Sequence, residues 1–236
     1  MDLGLAGRVA IVTAASKGLG RASAQALAAE GARVVLNARN AAALAELEGS
    51  LDDAIVVAGD ITDPDLPAQL VDAAMTAWGR VDIVVANAGG PPTGSALEVT
   101  DEQILAAVNA NMLASVRLAR AAVPHMRAQG WGRLCFIASA SVRQPIRDLA
   151  LSNVSRTALW AWTKTAAQDL AEQGITVNLA APGLHATDRL LERGVTGRTG
   201  EPDDFGQVVA FLCSEQASFI NGIALGVDGG AVLGLL

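Results

Sequence analysis

Short apolar runs rich in valine and isoleucine alternate along the chain with longer segments in which apolar residues recur at helical spacing. Several of the runs contain no polar alternation, so we expect both faces of the sheet they form to be covered. The seven predicted strands are Arg8 to Thr13, Arg33 to Asn37, Ala54 to Ala58, Val81 to Ala86, Arg133 to Ser139, Thr176 to Ala181 and Ala224 to Val227.

The helical spacing fills the gaps between these strands, and glycines follow many of the helices, as expected at helix ends. This alternation predicts an α/β fold: a single-domain, Rossmann-like doubly wound domain over residues 1–236, with a seven-stranded parallel sheet that collects ligands at its carboxyl edge. The predicted helices are Leu19 to Glu30, Ala41 to Leu47, Asp65 to Trp78, Ile104 to Gln129 with a break, Ser152 to Glu172 and Pro202 to Leu212.

Composition narrows the function classes. The 236 residues are 51% hydrophobic and 17% charged, which excludes a disordered chain. The net charge of -7 would repel a phosphate backbone, so we expect no nucleic-acid partner. The N-terminus lacks a basic region before a long apolar segment, and no run of about 18 apolar residues occurs. We therefore expect a soluble cytoplasmic protein with no membrane partner.

Cysteine and tyrosine usage adds two constraints. Cys135 and Cys213 both lie in apolar runs, where a reduced thiol behaves as a small hydrophobe, so we expect a reducing compartment and no metal site. The sequence contains no tyrosine.

A glycine-rich turn follows the first predicted strand directly. It carries Thr13, Ser16, Lys17, Gly18, Leu19 and Gly20, and it leads into a helix whose free N–H groups favour a pyrophosphate. Glycine allows a backbone approach that a side chain would block. The position between a strand and a helix favours nucleotide binding over an ordinary tight turn.

At these residues the chain resembles the short-chain dehydrogenase/reductase family, over essentially its whole length, and within it the 3-oxoacyl-[acyl-carrier-protein] reductase branch. The family glycine motif reads TGxxxGxG, and Ala14 stands at its first glycine. The other matching motifs are Asp60-Ile61-Thr62, Asn87-Ala88-Gly89, Pro182-Gly183 and Val227-Asp228-Gly229-Gly230.

The resemblance assigns roles to these residues. It implies that Asp60 and Ile61 contact an adenine ring, that Asn87, Ala88 and Gly89 support a dinucleotide, and that Pro182, Gly183 and Thr187 flank its nicotinamide. Ordinary structural roles stay open: Asp60 as a loop cap and Pro182-Gly183 as a turn.

The coenzyme is expected to be NADP rather than NAD. An acidic residue at the end of the second strand would bind the ribose of NAD, and Asn37 stands there instead. Lys17 and Arg39 would converge on a 2′-phosphate, unless they are solvated surface charges.

The catalytic set of the family comprises Asn, Ser, Tyr and Lys, with the last two spaced YxxxK. The resemblance places the first two at Asn111 and Ser139, and it places Ser152 at the tyrosine position and Arg156 at the lysine position. It implies that Ser139 and Ser152 bind a substrate oxygen, that Arg156 binds ribose and stabilises an oxyanion, and that Asn111 holds a water molecule. A role as a helix N-cap stays open for Ser152 or Ser155.

The missing phenol leaves the proton source open. Serine is a much weaker acid than a phenol, and a positioned general acid contributes about 10² to 10⁴ in rate. His185 is one candidate donor, unless it is a surface-loop histidine, and a water chain through Ser152 and Asn111 is another.

Further residues bear on substrate and assembly. Arg143, Arg147, Arg189, Arg193 and Arg198 suggest a basic mouth for a carboxylate or phosphate, unless acids pair with them. A short lid is expected at about 187–200. The resemblance implies a homodimer or homotetramer, in which Trp160 and Trp162 are either interface anchors or core residues.

Three function classes remain open from the sequence. The first is an NADP-dependent oxidoreductase that acts on a small carbonyl or alcohol substrate, possibly an anionic one. The second is a nucleotide-binding sensor or scaffold subunit without turnover. The third is a dehydratase or isomerase that uses the same pocket.

Overall fold

The computed structural model describes residues 1–192, 194 and 196–234, without the side chains of residues 189 and 191. Seven parallel strands form one sheet in the order β3-β2-β1-β4-β5-β6-β7. The strands are β1 (Val9–Val12), β2 (Arg33–Ala38), β3 (Ala54–Ala58), β4 (Ile83–Ala86), β5 (Gly132–Ile137), β6 (Ile175–Pro182) and β7 (Ala224–Val227). This confirms the predicted parallel sheet.

Helices cover the sheet on both faces. Valine and isoleucine on alternate positions of each strand feed two separate apolar cores, one on each side of the sheet. The helices are α1 (Gly18–Ala29), α2 (Ala41–Glu48), α3 (Leu66–Trp78), α4 (Asp101–Val108), α5 (Ala114–Gln129), α6 (Ala150–Leu170), α7 (Asp188–Glu192) and α8 (Pro202–Leu212).

The predicted break in the fourth helix is a π-helical turn at Asn109–Leu113, between α4 and α5. Pro124 lies within the continuous helix α5 and does not cause the break. A π turn of this kind inserts one residue into the helical ladder and often occurs at a functional site. Here it carries Asn111, a candidate site residue.

The strand order reverses between β1 and β4, because β2 and β3 lie on one side of β1 and β4 to β7 on the other. In open parallel sheets, ligands bind at the carboxyl ends of the strands at such a reversal. The glycine turn follows β1 and the Asn87-Ala88-Gly89 segment follows β4. The fold therefore brings two of the predicted cofactor segments together at this point.

Cys135 and Cys213 are both free and buried, as the sequence predicted. A hydrogen bond with Cys135, together with burial, raises the pKa of the Cys213 thiol well above its usual value. The Cys213 thiol therefore packs as a neutral, apolar side chain.

The described residues contain no helix that is both long and apolar enough to cross a bilayer. No group of three or more His, Cys, Asp or Glu side chains among them is arranged to hold a metal ion.

Candidate functional site

Thr13 joins the two segments at the strand reversal. Its hydroxyl donates to the carbonyl of Asn87 at 2.7 Å and accepts from the backbone N–H of Asn87 at 2.8 Å. The carbonyl of Asn37 accepts from the N–H of Ala15 at 2.9 Å. The start of the glycine turn is thus fixed to both neighbouring strands before helix α1 begins.

Atoms of the glycine turn and of Asn87 approach one another so closely that only glycine fits at the crowded position. A Cβ atom on Gly20 would lie 2.3 Å from the carbonyl oxygen of Ala14 and 2.8 Å from Nδ2 of Asn87. Gly18 has a φ of +56°, in the left-handed region that favours glycine. Ala14, at the first glycine of the family motif, has a φ of +49°, so this alanine is strained.

Helix α1 begins at Gly18 with the extended residue Lys17 as its N-cap, and the Lys17 side chain makes no capping hydrogen bond. Ser16 and Leu19 flank this point and are half-buried. Helix N-termini attract anions through free N–H groups and the helix dipole. The fit of this turn to a pyrophosphate therefore rests on backbone geometry.

The lid lies against the glycine turn. The Cγ2 atom of Thr187 is 3.4 Å from the position of a Cβ on Gly18. The Nζ atom of Lys17 lies 4.0 Å from a carboxylate oxygen of Asp188 and 3.8 Å from one of Glu192, both on α7. The segment then returns to the Pro182-Gly183 loop, where the N–H of Gly200 donates to the carbonyl of Leu184.

Arg39 and Asp60 lie together on the far side of the reversal, 4.0 Å apart, and the Arg39 side chain is 82% exposed. The N–H and hydroxyl of Thr62 donate to one oxygen of Asp60 at 2.9 and 2.8 Å, and they lower the pKa of this carboxyl. Asp60 therefore does cap its loop. Ile61 packs against the apolar core beside it.

The two cations that were predicted to converge on a 2′-phosphate lie near different carboxylates, and their convergence stays a prediction. Lys17 is within ion-pair distance of the lid carboxylates, whereas Arg39 is within that distance of Asp60. Arg39 is the more exposed of the two.

Asn37 does not occupy the end of the second strand, because β2 continues to Ala38. The Asn37 side chain is buried, and its amide donates to the carbonyls of Val57 at 2.9 Å and Gly59 at 3.3 Å. It therefore binds the neighbouring strand rather than a ribose. The residue that ends the strand is Ala38, which is also uncharged.

Arg156 lies at the carboxyl ends of the two central strands. Its Nη1 donates to the carbonyl of Ile137, the last residue of β5, at 2.8 Å. Its Nη2 donates to the carbonyl of Ala88, just after β4, at 3.4 Å. The side chain is 6% exposed, so these carbonyls satisfy part of a buried, permanently charged group.

Ser139 and Ser152 precede this arginine in the sequence, one after strand β5 and the other on helix α6. Ser139 follows β5 as the N-cap of a 3₁₀ turn at Ala140–Val142, and its hydroxyl accepts from the N–H of Ser141 at 3.2 Å. Ser152 lies buried on α6, one helical turn before Arg156. Helix α6 packs against both the 3₁₀ turn and the π turn.

The N-cap alternative for Ser152 and Ser155 is wrong. Helix α6 begins at Ala150, so its N-cap is Leu149. The Ser155 hydroxyl donates to the carbonyl of Leu151 within the helix at 2.7 Å. Ser152 is therefore free of a capping duty.

Asn111 sits buried in the π turn, where its Nδ2 donates to the carbonyl of Ala107 at 3.2 Å. Its Oδ1 atom accepts no hydrogen bond from the described residues. A buried amide oxygen normally has a partner, so this acceptor suits a water molecule.

His185 is not the surface-loop histidine considered above. The side chain is 6% exposed, its ring meets Phe205 edge-on at 5.2 Å, and Nδ1 lies 3.3 Å from the carbonyl of Gly183. The ring packs under the Pro182-Gly183 loop, against α8. Its role as a proton donor stays a prediction.

The predicted basic mouth stays a prediction, although several of its arginines are exposed. Arg143, Arg147 and Arg198 are exposed, and no described carboxylate lies within ion-pair distance of them. Arg193 and the side chain of Arg189 lie outside the described residues. Of the three exposed arginines, only Arg143 lines a cavity of about 270 Å³ at the carboxyl ends of β6 and β7.

Sequence reasoning missed the bonds that fix these residues. It assigned Arg156 to ribose and an oxyanion, and it gave no sign that the guanidinium binds Ile137 and Ala88. It also missed the bond from Ser141 to Ser139. A serine two residues after the strand end is the one signal that pointed to this short turn.

Known proteins resemble the chain over nearly its full length. A family model described as enoyl-(acyl carrier protein) reductase matches residues 13–232. Dehydrogenase/reductase SDR family member 4 of Oryctolagus cuniculus is 36% identical over 248 residues, which cover 96% of this chain and 94% of that protein. The versicolorin reductase of Emericella nidulans is 34% identical over 255 residues, which cover 96% of each protein.

A solved structure agrees at the level of the fold. The L-sorbose reductase of Gluconobacter frateurii, complexed with NADPH and L-sorbose, superimposes with a TM-score of 0.94. Its identity to this chain is 32%, and the match covers 100% of both chains.

Proposed function

Because the chain belongs to the short-chain dehydrogenase/reductase family, we propose that it is an oxidoreductase that transfers a hydride between NADP(H) and a small carbonyl or alcohol substrate. The whole chain acts as one nucleotide-binding domain. The observation that carries the proposal is the strand reversal, where Thr13 joins the glycine turn to the Asn87 loop.

The residues at this edge fit a dinucleotide. The close approach of Gly20 to the carbonyl of Ala14 and the left-handed φ of Gly18 shape a tight turn at the start of α1, whose N-terminal N–H groups suit a pyrophosphate. The exposed guanidinium of Arg39 suits a 2′-phosphate, and Ala38 at the strand end presents no carboxylate to repel it. The NADPH complex of L-sorbose reductase supports the same coenzyme.

The coenzyme supplies the hydride, and the chain supplies hydrogen bonds and charge around the reacting oxygen. Ser139 accepts from the N–H of Ser141, which leaves its own hydroxyl proton to donate to a substrate oxygen. Ser152 is the second donor to that oxygen. The two hydroxyls orient the substrate and stabilise negative charge as it develops.

Arg156 acts as a fixed positive charge behind these serines. Its bonds to Ile137 and Ala88 hold the guanidinium in place and tie the ends of β4 and β5 together. An arginine stays protonated, so it stabilises an oxyanion and does not relay a proton. The proton arrives through water held by the free oxygen of Asn111 in the π turn.

One observation favours a second function, a nucleotide-binding sensor or scaffold subunit that does not turn over. The sequence has no tyrosine, so no phenol is available as a general acid. Both functions require the same coenzyme site. They differ in what happens after the coenzyme binds.

A titration with NADPH followed by a panel of ketones, aldehydes and sugars separates the two. The proposed function predicts binding and oxidation of NADPH by at least one carbonyl compound, with Ser139→Ala about 10²-fold slower at unchanged NADPH affinity. NADPH binding without turnover on the panel favours the sensor. No NADPH binding rejects both functions.

The double variant Ser152→Tyr with Arg156→Lys restores the family residues. Strong reductase activity in this variant, starting from an inactive chain, supports the sensor. Loss of an existing activity shows that the native serine and arginine have their own catalytic task.

We also propose that the active protein is a homodimer or homotetramer paired through α5 and α6. A groove between these helices has a volume of about 240 Å³ and is lined by Trp162, with Arg120 and Arg127 on one helix and Asp169 on the other. Two-fold pairing would bring opposite charges together. Trp162 and Trp160 are only partly buried within one chain, although Trp162 contacts Phe136.

A further inference from the structure

The cavity beside Arg143 adjoins the proposed reaction centre. Ser139 and Arg143 are the N-cap and C-cap of the same 3₁₀ turn, and Ala140 of that turn lines the cavity. At a rise of about 2 Å per residue, the four steps along the backbone from Ser139 to Arg143 span about 8 Å. A ligand whose carbonyl lies at Ser139 can therefore extend a short distance into this cavity.

The C-terminal segment forms the opposite wall and is held in place. The Asp228 carboxylate accepts from the N–H of Gly230 at 3.0 Å and from that of Val232 at 3.1 Å. The N–H of Leu233 donates to the side chain of Gln144 at 3.2 Å, next to Arg143 in sequence. These bonds fold the segment back over the turn that carries Arg143.

The two charged residues that line the cavity, Asp228 and Arg143, differ in their hydrogen-bond and ion-pair partners. Both oxygens of Asp228 are occupied by backbone N–H groups. No described carboxylate, Asp228 included, lies within ion-pair distance of Arg143. Arg143 is therefore the charged group that is available to a ligand, and it suits a carboxylate with its two parallel N–H donors.

The size of the cavity limits the ligand. Its volume of about 270 Å³ lies below the usual range for sites that enclose a drug-sized molecule. Its other walls include Ala140, Ala181 and Gly226, which leave room but supply no charge. The cavity therefore accommodates a short acidic group and is too small to enclose a long acyl chain or a nucleotide.

Resting on the proposed function, we infer that the substrate is a small oxo acid or hydroxy acid whose carboxylate binds Arg143 while its carbonyl or hydroxyl faces Ser139. Arg143 is then a specificity-determining residue. It distinguishes anionic from neutral substrates and leaves the reaction itself to other residues.

Calorimetric binding tests this inference without requiring turnover. The ligands are pyruvate and 4-oxopentanoate, each compared with its methyl ester, which keeps the carbonyl and removes the charge. The protein is first titrated with NADP⁺ and then with each ligand. At least one of the two acids should bind about tenfold or more tightly than its ester to the wild type.

Two variants sharpen the result. Arg143→Gln should abolish the preference for acid over ester, and Arg143→Lys should keep part of it. Arg33→Gln, at the opposite edge of the sheet, removes the same charge and should keep all of it. Arg143 is exposed, so its replacement should leave thermal unfolding unchanged.

Equal binding of acid and ester, no detectable binding of either acid, or an unchanged preference in Arg143→Gln would overturn the inference. Reduction of neutral carbonyls with NADPH in the same preparation would leave the proposed function standing. Absence of NADP⁺ binding would instead reject the proposed function itself.

Discussion

The two edges of the sheet use charge in opposite ways. At the amino edge, buried Asp82 accepts two bonds from Arg80 at 2.7 Å, one from Arg8 at 3.3 Å and one from the N–H of Val9 at 2.9 Å. Arg8 also reaches Glu215 at 2.7 Å. Every charge named here has a close partner within the chain.

The amino edge also holds a stacked aromatic ring. The guanidinium groups of Arg8 and Arg133 lie 3.8 and 4.2 Å from the ring centre of Trp131. Arg133 is buried and donates to three backbone carbonyls, and its burial lowers its pKa. These arginines are bound by the fold itself.

At the carboxyl edge, Arg156 is buried, but the other three cations, Lys17, Arg39 and Arg143, are more exposed and less engaged. Arg39 and Lys17 have carboxylates no closer than 3.8 Å, and Arg143 has none within ion-pair distance among the described residues. Exposed pairs at such distances contribute little to stability. We propose that the paired charges of the amino edge serve folding, whereas the exposed cations of the carboxyl edge are available to ligands.

Asp82→Asn should give the largest effect on stability. It removes a buried carboxylate that Arg8 and Arg80 share, which costs about 3–5 kcal/mol of unfolding free energy. Urea unfolding at fixed protein concentration measures this loss, and NADPH affinity should stay unchanged. Asp53→Asn, which breaks the exposed pair with Arg33, should cost less than about 1 kcal/mol. Similar losses in both variants would remove the contrast between the edges.

Arg156→Met should affect both stability and coenzyme binding, because this arginine is the buried cation of the carboxyl edge. The variant leaves the carbonyls of Ile137 and Ala88 without their donor, at a cost of about 2–3 kcal/mol. NADPH affinity should fall with it, as fluorescence titration can show. Full affinity in a destabilised variant would assign Arg156 to folding alone.

Arg39→Gln should weaken NADPH binding about tenfold, or about 1.4 kcal/mol, and leave NADH binding unchanged. The reason is that, among the described residues, its exposed guanidinium has no carboxylate closer than that of Asp60 at 4.0 Å. Arg21→Gln, which removes a cation paired with Glu46 at 3.1 Å, is the control. Equal weakening of both coenzymes would contradict a 2′-phosphate contact.

Ala14→Gly should raise the free energy of unfolding by about 1 kcal/mol, because the native φ of +49° strains an alanine. NADPH affinity should be retained. The neighbouring substitution Ala15→Gly should have the opposite sign, since Ala15 has no positive φ and is buried. Thermal unfolding of the two variants decides whether the strain is real.

Replacing Asp60 should have the smallest effect, a change in how the free energy of unfolding depends on pH. Bonds from Thr62 lower its pKa below 3.8, so the folded state favours the carboxylate. This stability is present at neutral pH and is lost as the pH falls through the folded-state pKa. Because the side chain is about half exposed, Asp60→Asn should cost only a few tenths of a kcal/mol at neutral pH. A deficit that grows as the pH falls below about 4 would have the wrong sign.

The fold was largely predictable because the spacing of apolar residues within each segment indicates which of its positions are buried. All seven strands and the six predicted helices lie within a few residues of the predicted positions, with the fourth predicted helix forming both α4 and α5, and the short helix α7 is the addition. The break in the fourth helix was also predicted, but its form as a π turn around Asn111 was not. Periodicity marks that a helix is interrupted without giving the hydrogen-bond pattern of the interruption.

The sequence indicated which residues belong to the candidate site, but it did not indicate which residues they contact. Arg156 bonds to carbonyls 19 and 68 residues away, and no local pattern encodes such partners. The burial of His185 depends in the same way on Phe205 from a distant helix. Asn37 was misplaced because its strand runs one residue further than the apolar pattern indicated.

We propose above all that the carboxyl edge of the sheet holds NADP across the glycine turn. Parallel calorimetric titrations of the wild type and of Gly20→Ala with NADPH and NADH test it most directly, because a Cβ at position 20 would meet the carbonyl of Ala14 at 2.3 Å. We predict one NADPH per chain, bound more tightly than NADH, and a marked loss of NADPH affinity in the variant. Tighter binding of NADH, or no heat with either coenzyme, would contradict the account.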